Sequence, residues 1–323
     1  MEQEFKLALC QILTEENKQE TLDKAERMIR DAAEHGARGG AFPEMFACPY
    51  SHPYFRPYAE TEGGPTVQRM SYWAREYGVI LIGGSIPELE KDTLYNTCFV
   101  FDEEGNRIAR HRKDHLFDIS LQDGTYFRES DSFARGNDIC VFDTSCGRMG
   151  VAICFDVRFP ELIRAMALQG ARLIVLPAQF TVSTGKAHWE TTMRARAMDN
   201  EIYFAAAAAA RNPGKGYKCW GHSMVVGPFG DVRAQADESE QIVYADIRLA
   251  DVDRVRQELP TFLHLRDDLY RLPADRKTCL PGLLFVFRSV VLLPPVFVMR
   301  RASVPPTREN FYAFFADFYD KFV

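Results

Sequence analysis

Three residues of this 323-residue chain stand where their chemistry is unusual for their surroundings. Cys154 lies in MGVAICFDVRFPEL (149–162), between an apolar run that reads as a strand and a segment after Phe159 that reads as a helix. A cysteine at such a turn faces a cleft, and the dipole of a nearby helix N-terminus favours its thiolate. Glu44 lies in FPEMF, a carboxylate inside an apolar stretch, and Lys113 lies in RHRKDHLFD at the end of a strand. A nucleophilic thiol needs a base and a group that holds the oxyanion its attack creates. Glu44 and Lys113 are groups of those kinds. Each residue also has a plainer reading. Free cysteine is commonly a buried small hydrophobe, and an isolated Glu or Lys is commonly a surface charge. No Ser/His/Asp arrangement stands out, and no GxSxG elbow is present.

The elements that must position these groups alternate along the chain. Phe5 to Cys10 alternates like a strand, and residues 17–35 form an amphipathic helix closed by Gly36. A strand fits before Phe42 but is weakened by Gly39 and Gly40. Pro49 to Tyr58 reads as a loop, and 65–77 as a helix opened by Pro65. Val79 to Gly84 and Asn96 to Phe101 read as strands, and an acidic turn at 102–106 leads into another. Strands near 139–142 and 149–153 precede a helix at 159–170, and Leu173 to Leu176 precedes one at about 188–199. The apolar run Ile202 to Ala210 suits a strand buried on both faces. His222 to Val226 and Ile242 to Ile247 complete the set. Helices alternating with buried strands predict an α/β layered fold.

Composition narrows the function classes. With 46% hydrophobic and 26% charged residues the chain reads as soluble and globular. A net charge of −6 and the lack of a long basic run speak against nucleic acid. The eight cysteines form no CxxC pair and no zinc spacing, which reads as reduced thiols in a cytoplasmic protein without a metal site. MEQEFKLALCQ does not read as a signal peptide. From about Pro273 the periodicity fades. The apolar stretch 279–299 carries Arg288 and three prolines, so it reads as a surface-packed or disordered tail rather than a membrane anchor. The chain thus divides into a domain over 1–272 and an atypical tail over 273–323.

FPE with Glu44, RKDHLFD with Lys113 and ICFDVRFPE with Cys154 resemble, in order and approximate spacing, the three signature blocks of the nitrilase (carbon–nitrogen hydrolase) superfamily. The resemblance covers about residues 4–272. It implies a four-layer αββα sandwich that assembles into a homodimer or higher homo-oligomer. It also implies that Glu44 is the general base, that Cys154 attacks the amide carbon, and that Lys113 and the Phe155 backbone N–H hold the oxyanion. Glu129, in YFRES, matches a second family glutamate that positions Lys113 and the substrate amide. No metal or organic cofactor is implied.

Further stretches resemble the ω-amidase branch: GGSIPE (83–88), LYNTC (94–98), HLFDI (115–119), TGKAHWE (184–190), RARAMDN (194–200), CWGHSMVV (219–226) and DLYRL (268–272). That branch hydrolyses the terminal amide of α-ketoglutaramate and α-ketosuccinamate. Such substrates carry a carboxylate opposite the amide. Arg158 matches the arginine that binds it, with Phe117, Phe180 and Thr184 at neighbouring pocket positions. The plainer readings are a structural salt bridge for Arg158 and core packing for the phenylalanines. His115 and His188 read as structural hydrogen-bonding residues, and Trp189 and Trp220 as core. A related amidase acting on deaminated glutathione or an N-carbamoyl amino acid is a second reading. A binding protein that kept the fold but lost turnover is a third. Two departures from the family stand out, the tail and the sequence Arg38-Gly39-Gly40-Ala41 in place of a solid apolar strand. The second predicts a loosened base.

Overall fold

In the first strand, β1 (Glu4–Gln11), Phe5, Leu7 and Leu9 alternate with Ala8 and Cys10, and all five are buried. A strand buried on both faces needs a layer on each side. The computed structural model, which describes residues 4–269 apart from 123, 125, 215 and 267, supplies both.

The chain continues through α1 (Lys18–Glu34), β2 (Ala37–Ala41), α2 (His52–Tyr58), α3 (Pro65–Tyr77), β3 (Ile80–Ile82), β4 (Ile86–Glu90), β5 (Thr93–Phe101) and β6 (Arg107–Arg112). A short hairpin, β7 (Asp118–Ser120) and β8 (Tyr126–Arg128), follows. The second half holds β9 (Val141–Thr144), β10 (Gly147–Val151), α4 (Pro160–Leu168), β11 (Leu173–Ala178), α5 (Val182–Asn200) and β12 (Tyr203–Ala208). It ends with β13 (Met224–Val226), β14 (Val232–Gln235), β15 (Gln241–Arg248) and α6 (Leu249–Glu258).

Seven strands form one sheet in the order β15-β1-β2-β3-β5-β4, with β6 also on β5. Six form the other, in the order β14-β13-β12-β11-β10-β9. The central strands β1-β2-β3 and β10-β11-β12 run parallel, and antiparallel strands flank them. Leu7, Leu9, Ile80 and Ile82 of the first sheet share one buried cluster with Val175, Phe204 and Ala206 of the second. The opposite face of the first sheet packs Ala8, Cys10, Leu81 and Phe99 with Leu22 and Ile29 of α1 and Met70 and Trp73 of α3. Ile163 and Met166 of α4 and Trp189 and Met193 of α5 cover the second sheet. This is the αββα sandwich expected.

The weak strand before Phe42 needs correction. β2 forms along its length and pairs parallel with both β1 and β3. A Cβ on Gly40 would lie 2.1 Å from Ile29 Cδ1, and one on Gly39 would lie 3.1 Å from Leu7 Cδ1. The glycines therefore let α1 and β1 pack close. Replacing Gly40 by Val is expected to destabilise the fold by roughly 1–3 kcal/mol through overpacking. A shift of the urea midpoint measures it, and Ile29→Ala in the same chain should recover part of the loss.

Other differences have local causes. The Pro- and Tyr-rich stretch expected as a loop contains α2, with a proline in its first turn and Phe55 buried beneath it. α5 begins six residues early, at Val182, because the Thr181 hydroxyl caps it by accepting from Thr184 N at 3.2 Å. β4 and α6 were also unanticipated, as were β7, β8 and β14, which are short and carry no buried alternation. The expected tail at 273–323 and residues 270–272 of the DLYRL stretch lie outside the described residues. Among the described residues no helix is long and apolar enough to cross a membrane.

Candidate active site

Glu44 follows β2 of one sheet, and Cys154 follows β10 of the other. Both thus lie beyond the carboxyl ends of parallel strands, where α/β sheets commonly place their sites. Cys154 takes a φ of 45° and Met45 a φ of 49°. A non-glycine residue in this left-handed region costs roughly 1–3 kcal/mol, so the surroundings must hold it there.

At Cys154 the holder is Asp156, which is fully buried. Its Oδ2 accepts from Ile153 N at 2.9 Å and lies 3.2 Å from His111 Nε2. Its Oδ1 accepts from His115 N at 2.9 Å and lies 2.8 Å from His115 Nδ1. Burial alone would raise the Asp156 pKa, but His111, His115 and the Ile153 N–H hold it well below the usual carboxylate range. At Met45 the backbone N–H donates to Ser85 Oγ at 3.0 Å, and Ser85 N donates to Pro43 O at 3.2 Å.

Glu44, Asn96, Lys113 and Glu129 form a buried cluster beside the thiol. Lys113 Nζ donates at 2.7 Å to Glu44 Oε1 and at 2.7 Å to Glu129 Oε2. Asn96 Nδ2 donates to Glu44 Oε1 at 2.8 Å and to Glu129 Oε1 at 2.9 Å. Phe117 N donates to Glu129 Oε2 at 2.7 Å. Burial works against a charge on Lys113, but the two carboxylates overcome it and lift its pKa far above the usual lysine value. Glu44 moves up because burial outweighs the pull of Lys113, and Glu129 adds to the rise. Its Oε2 is buried with no hydrogen-bond partner among the described residues.

Cys154 is held as a thiol. Burial, then the Glu44 charge, pushes Cys154 well above the usual cysteine range, while Lys113 and the Gln179 backbone N–H pull it back. The expected helix-dipole effect is therefore not what governs it. Cys154 opens a short 3-10 turn, Cys154–Arg158, and α4 starts only at Pro160.

Arg158 is half-buried, with its guanidinium carbon 5.0 Å from the Phe180 ring centre. Among the described residues no carboxylate pairs with it, so the expected alternative of a structural salt bridge has no partner. Burial lowers its pKa and the nearby Cys154 opposes that shift. Phe180 packs edge-on against Trp189, and Phe117 sits edge-on to Phe155. Thr184 is engaged at the start of α5, where its hydroxyl lies 2.8 Å from that of Thr181. Beside these residues a cleft of about 560 Å³ is lined by Phe117, Phe127, Thr181, Lys186 and Tyr217 among others.

Of the two histidines expected to be structural, His115 is: it bonds Asp156 and stacks on Phe159. His188 is exposed on α5 and its ring makes no hydrogen bond among the described residues. Trp189 is core, but Trp220 is only half-buried and stacks on His222. Asn96, His111, Asp156 and Gln179 were not anticipated. Asn96 and Asp156 carry the signal that singled out Glu44, a polar group inside an apolar run.

A proton acceptor, a thiol and a fixed cation buried side by side can form and stabilise a tetrahedral oxyanion. Among the described residues no group of three or more His, Cys, Asp or Glu is placed to hold a metal ion. Residues 6–257 match the carbon–nitrogen hydrolase family, and the chain belongs to it. More narrowly, it is 44% identical over 272 residues to omega-amidase NIT2 of Bos taurus, covering 84% of this chain and 99% of that one. It is 42% identical over 278 residues to nitrilase homolog 2 of Dictyostelium discoideum, covering 85% of each. Among solved structures, Saccharomyces cerevisiae Nit3, of branch 10 of the nitrilase superfamily, matches with a TM-score of 0.75 at 36% identity. That match covers 80% of this chain and 96% of Nit3.

Proposed function

We propose that the protein is an ω-amidase, hydrolysing the terminal amide of small dicarboxylic acid monoamides such as α-ketoglutaramate and α-ketosuccinamate to the acid and ammonia. The observation that carries this reading is Arg158, a half-buried guanidinium near Cys154 with no carboxylate paired to it among the described residues. Such a group fits a substrate carboxylate with two hydrogen bonds. The identity to omega-amidase NIT2 of Bos taurus supports the same substrate class.

In this reading Glu44 takes the Cys154 proton and the sulfur attacks the amide carbon. Burial makes Glu44 a stronger base than an exposed carboxylate, and a positioned proton-transfer group contributes ~10²–10⁴-fold. Lys113, held protonated, and the Phe155 N–H stabilise the oxyanion. One such donor is worth roughly 3–4 kcal/mol. Asn96 and Glu129 hold Glu44 and Lys113 in register. The C–N bond breaks, the proton passes from Glu44 to the leaving nitrogen, and ammonia departs. Glu44 then takes a proton from water, which attacks the thioester, and the acid leaves as the thiol is restored. Phe117 lines the cleft, Phe180 carries the Arg158 guanidinium over its ring, and Thr184 follows directly on the cleft-lining residues Thr181 to Ser183. Assembly into a homodimer or higher homo-oligomer and a cytoplasmic setting belong to the same reading.

The test is ammonia release from α-ketoglutaramate, succinamate and an N-carbamoyl amino acid. Fastest turnover of the keto amide supports the proposal, and turnover of the carbamoyl compound alone overturns it. Arg158→Lys is expected to raise KM roughly 10-fold or more for carboxylate-bearing amides, since hydrogen bonds to charged groups are worth ~1.5–3 kcal/mol. An unchanged KM would remove Arg158 from substrate binding.

A further inference from the structure

Because Glu44 and Cys154 follow strands of different sheets, their separation depends on what ties the sheets together at this end. Gln179, the first residue beyond β11, meets both. Its Nε2 donates to the Glu44 carbonyl at 2.6 Å. Its backbone N–H interacts with the Cys154 sulfur. The other two polar groups of Gln179 are held in turn. Oε1 accepts from Cys219 Sγ at 3.1 Å, and the backbone carbonyl accepts from the Tyr217 hydroxyl at 2.7 Å.

Gln179 is 5% exposed. An amide with both ends engaged cannot flip, because a flip sets Nε2 against the Cys219 donor and Oε1 against a carbonyl. Cys219 is a dependable donor. Burial pushes its pKa well up, so it stays a thiol. The fold itself has other ties between the sheets. Ala210 N donates to Ile12 O at 3.0 Å, and Ser223 N donates to Gln11 Oε1 at 2.8 Å.

We propose that Gln179 is a positioning residue for the reaction: it clamps the main chain of the base to the nucleophile across the two sheets, with Cys219 and Tyr217 orienting the clamp. The proposal rests on the reading of Glu44 as base and Cys154 as nucleophile. It involves no contact with substrate. A misplacement of about 1 Å can lower a rate ~10²-fold.

The test is Gln179→Met, which keeps the size and removes both side-chain hydrogen bonds. It is expected to lower kcat for α-ketoglutaramate roughly 10–100-fold while KM changes less than about twofold. The pH profile of Cys154 alkylation by iodoacetamide should move in this variant. Cys219→Ser retains a donor and should keep nearly wild-type kcat, whereas Cys219→Val should fall between. If Gln179→Met fails to fold, the Val and Ser pair carries the comparison. Wild-type kcat in Gln179→Met, or a loss of kcat with an unchanged alkylation profile and a lowered melting temperature, would overturn the proposal. Full activity in Cys154→Ala would instead overturn the reading beneath it.

Discussion

Replacing Lys113 by Met is expected to destabilise the fold by roughly 3–5 kcal/mol and to remove turnover at the same time. Lys113 is the cation between two buried carboxylates, each 2.7 Å from Nζ, and Asn96 holds the same pair from another side. Breaking a buried ion pair from one end leaves uncompensated charge in a medium that solvates it poorly. Here it leaves two buried acids without their shared cation, and one of them must take up a proton. The sign of the pH dependence follows. In the variant a carboxyl has a folded pKa raised above its unfolded value. Its contribution is most favourable below the unfolded pKa and is lost as pH rises through the folded one. The gap in melting temperature between variant and wild type should therefore widen from about pH 5 to about pH 8. A gap that ignores pH would show that the acid pair is not the cause. The kinetic loss has a separate origin, since an oxyanion donor worth roughly 3–4 kcal/mol disappears with Nζ.

The same cluster explains what was legible from sequence. Glu44 and Lys113 announce themselves locally, as charges in or beside apolar strands, and Cys154 by its turn. Which residues bond to which is not announced. Asn96 is 52 residues from Glu44, Asp156 is 45 from His111, and Gln179 is 135 from Glu44. Periodicity reports on neighbours within a few turns or one strand, so it finds buried faces but not the polar bonds that join them. Gly39 and Gly40 misled for the same reason. Their cost to strand propensity is local, whereas the benefit, close packing against Ile29 and Leu7, lies on other elements. That helices layer on buried strands was readable from their alternation along the chain and from the apolar run of β12, whereas the four-layer order came from the family resemblance. The hairpin β7–β8 was not, because its residues are mostly exposed. Yet that hairpin delivers Glu129, the residue just after β8, to Lys113.

Cys154→Ala should lower turnover by on the order of 10⁴-fold or more, because no neighbouring group replaces the nucleophile. The fold should survive. Alanine takes the same left-handed backbone at similar strain, and Asp156, which pins the turn, is untouched. Deleting one buried sulfur is expected to cost about 1–2 kcal/mol, less than removing a larger core side chain. Substrate binding is expected to survive as well, since the proposed carboxylate site at Arg158 does not use the thiol. Calorimetry with α-ketoglutaramate on the variant measures that directly. The companion measurement is mass spectrometry of acid-quenched wild type. An acyl group added at Cys154 during turnover, and absent in the variant, identifies the thioester. Loss of turnover together with loss of binding would mean instead that the substitution collapses the pocket. Turnover without any acyl-enzyme in either protein would mean that water attacks the amide directly, with Glu44 as its base.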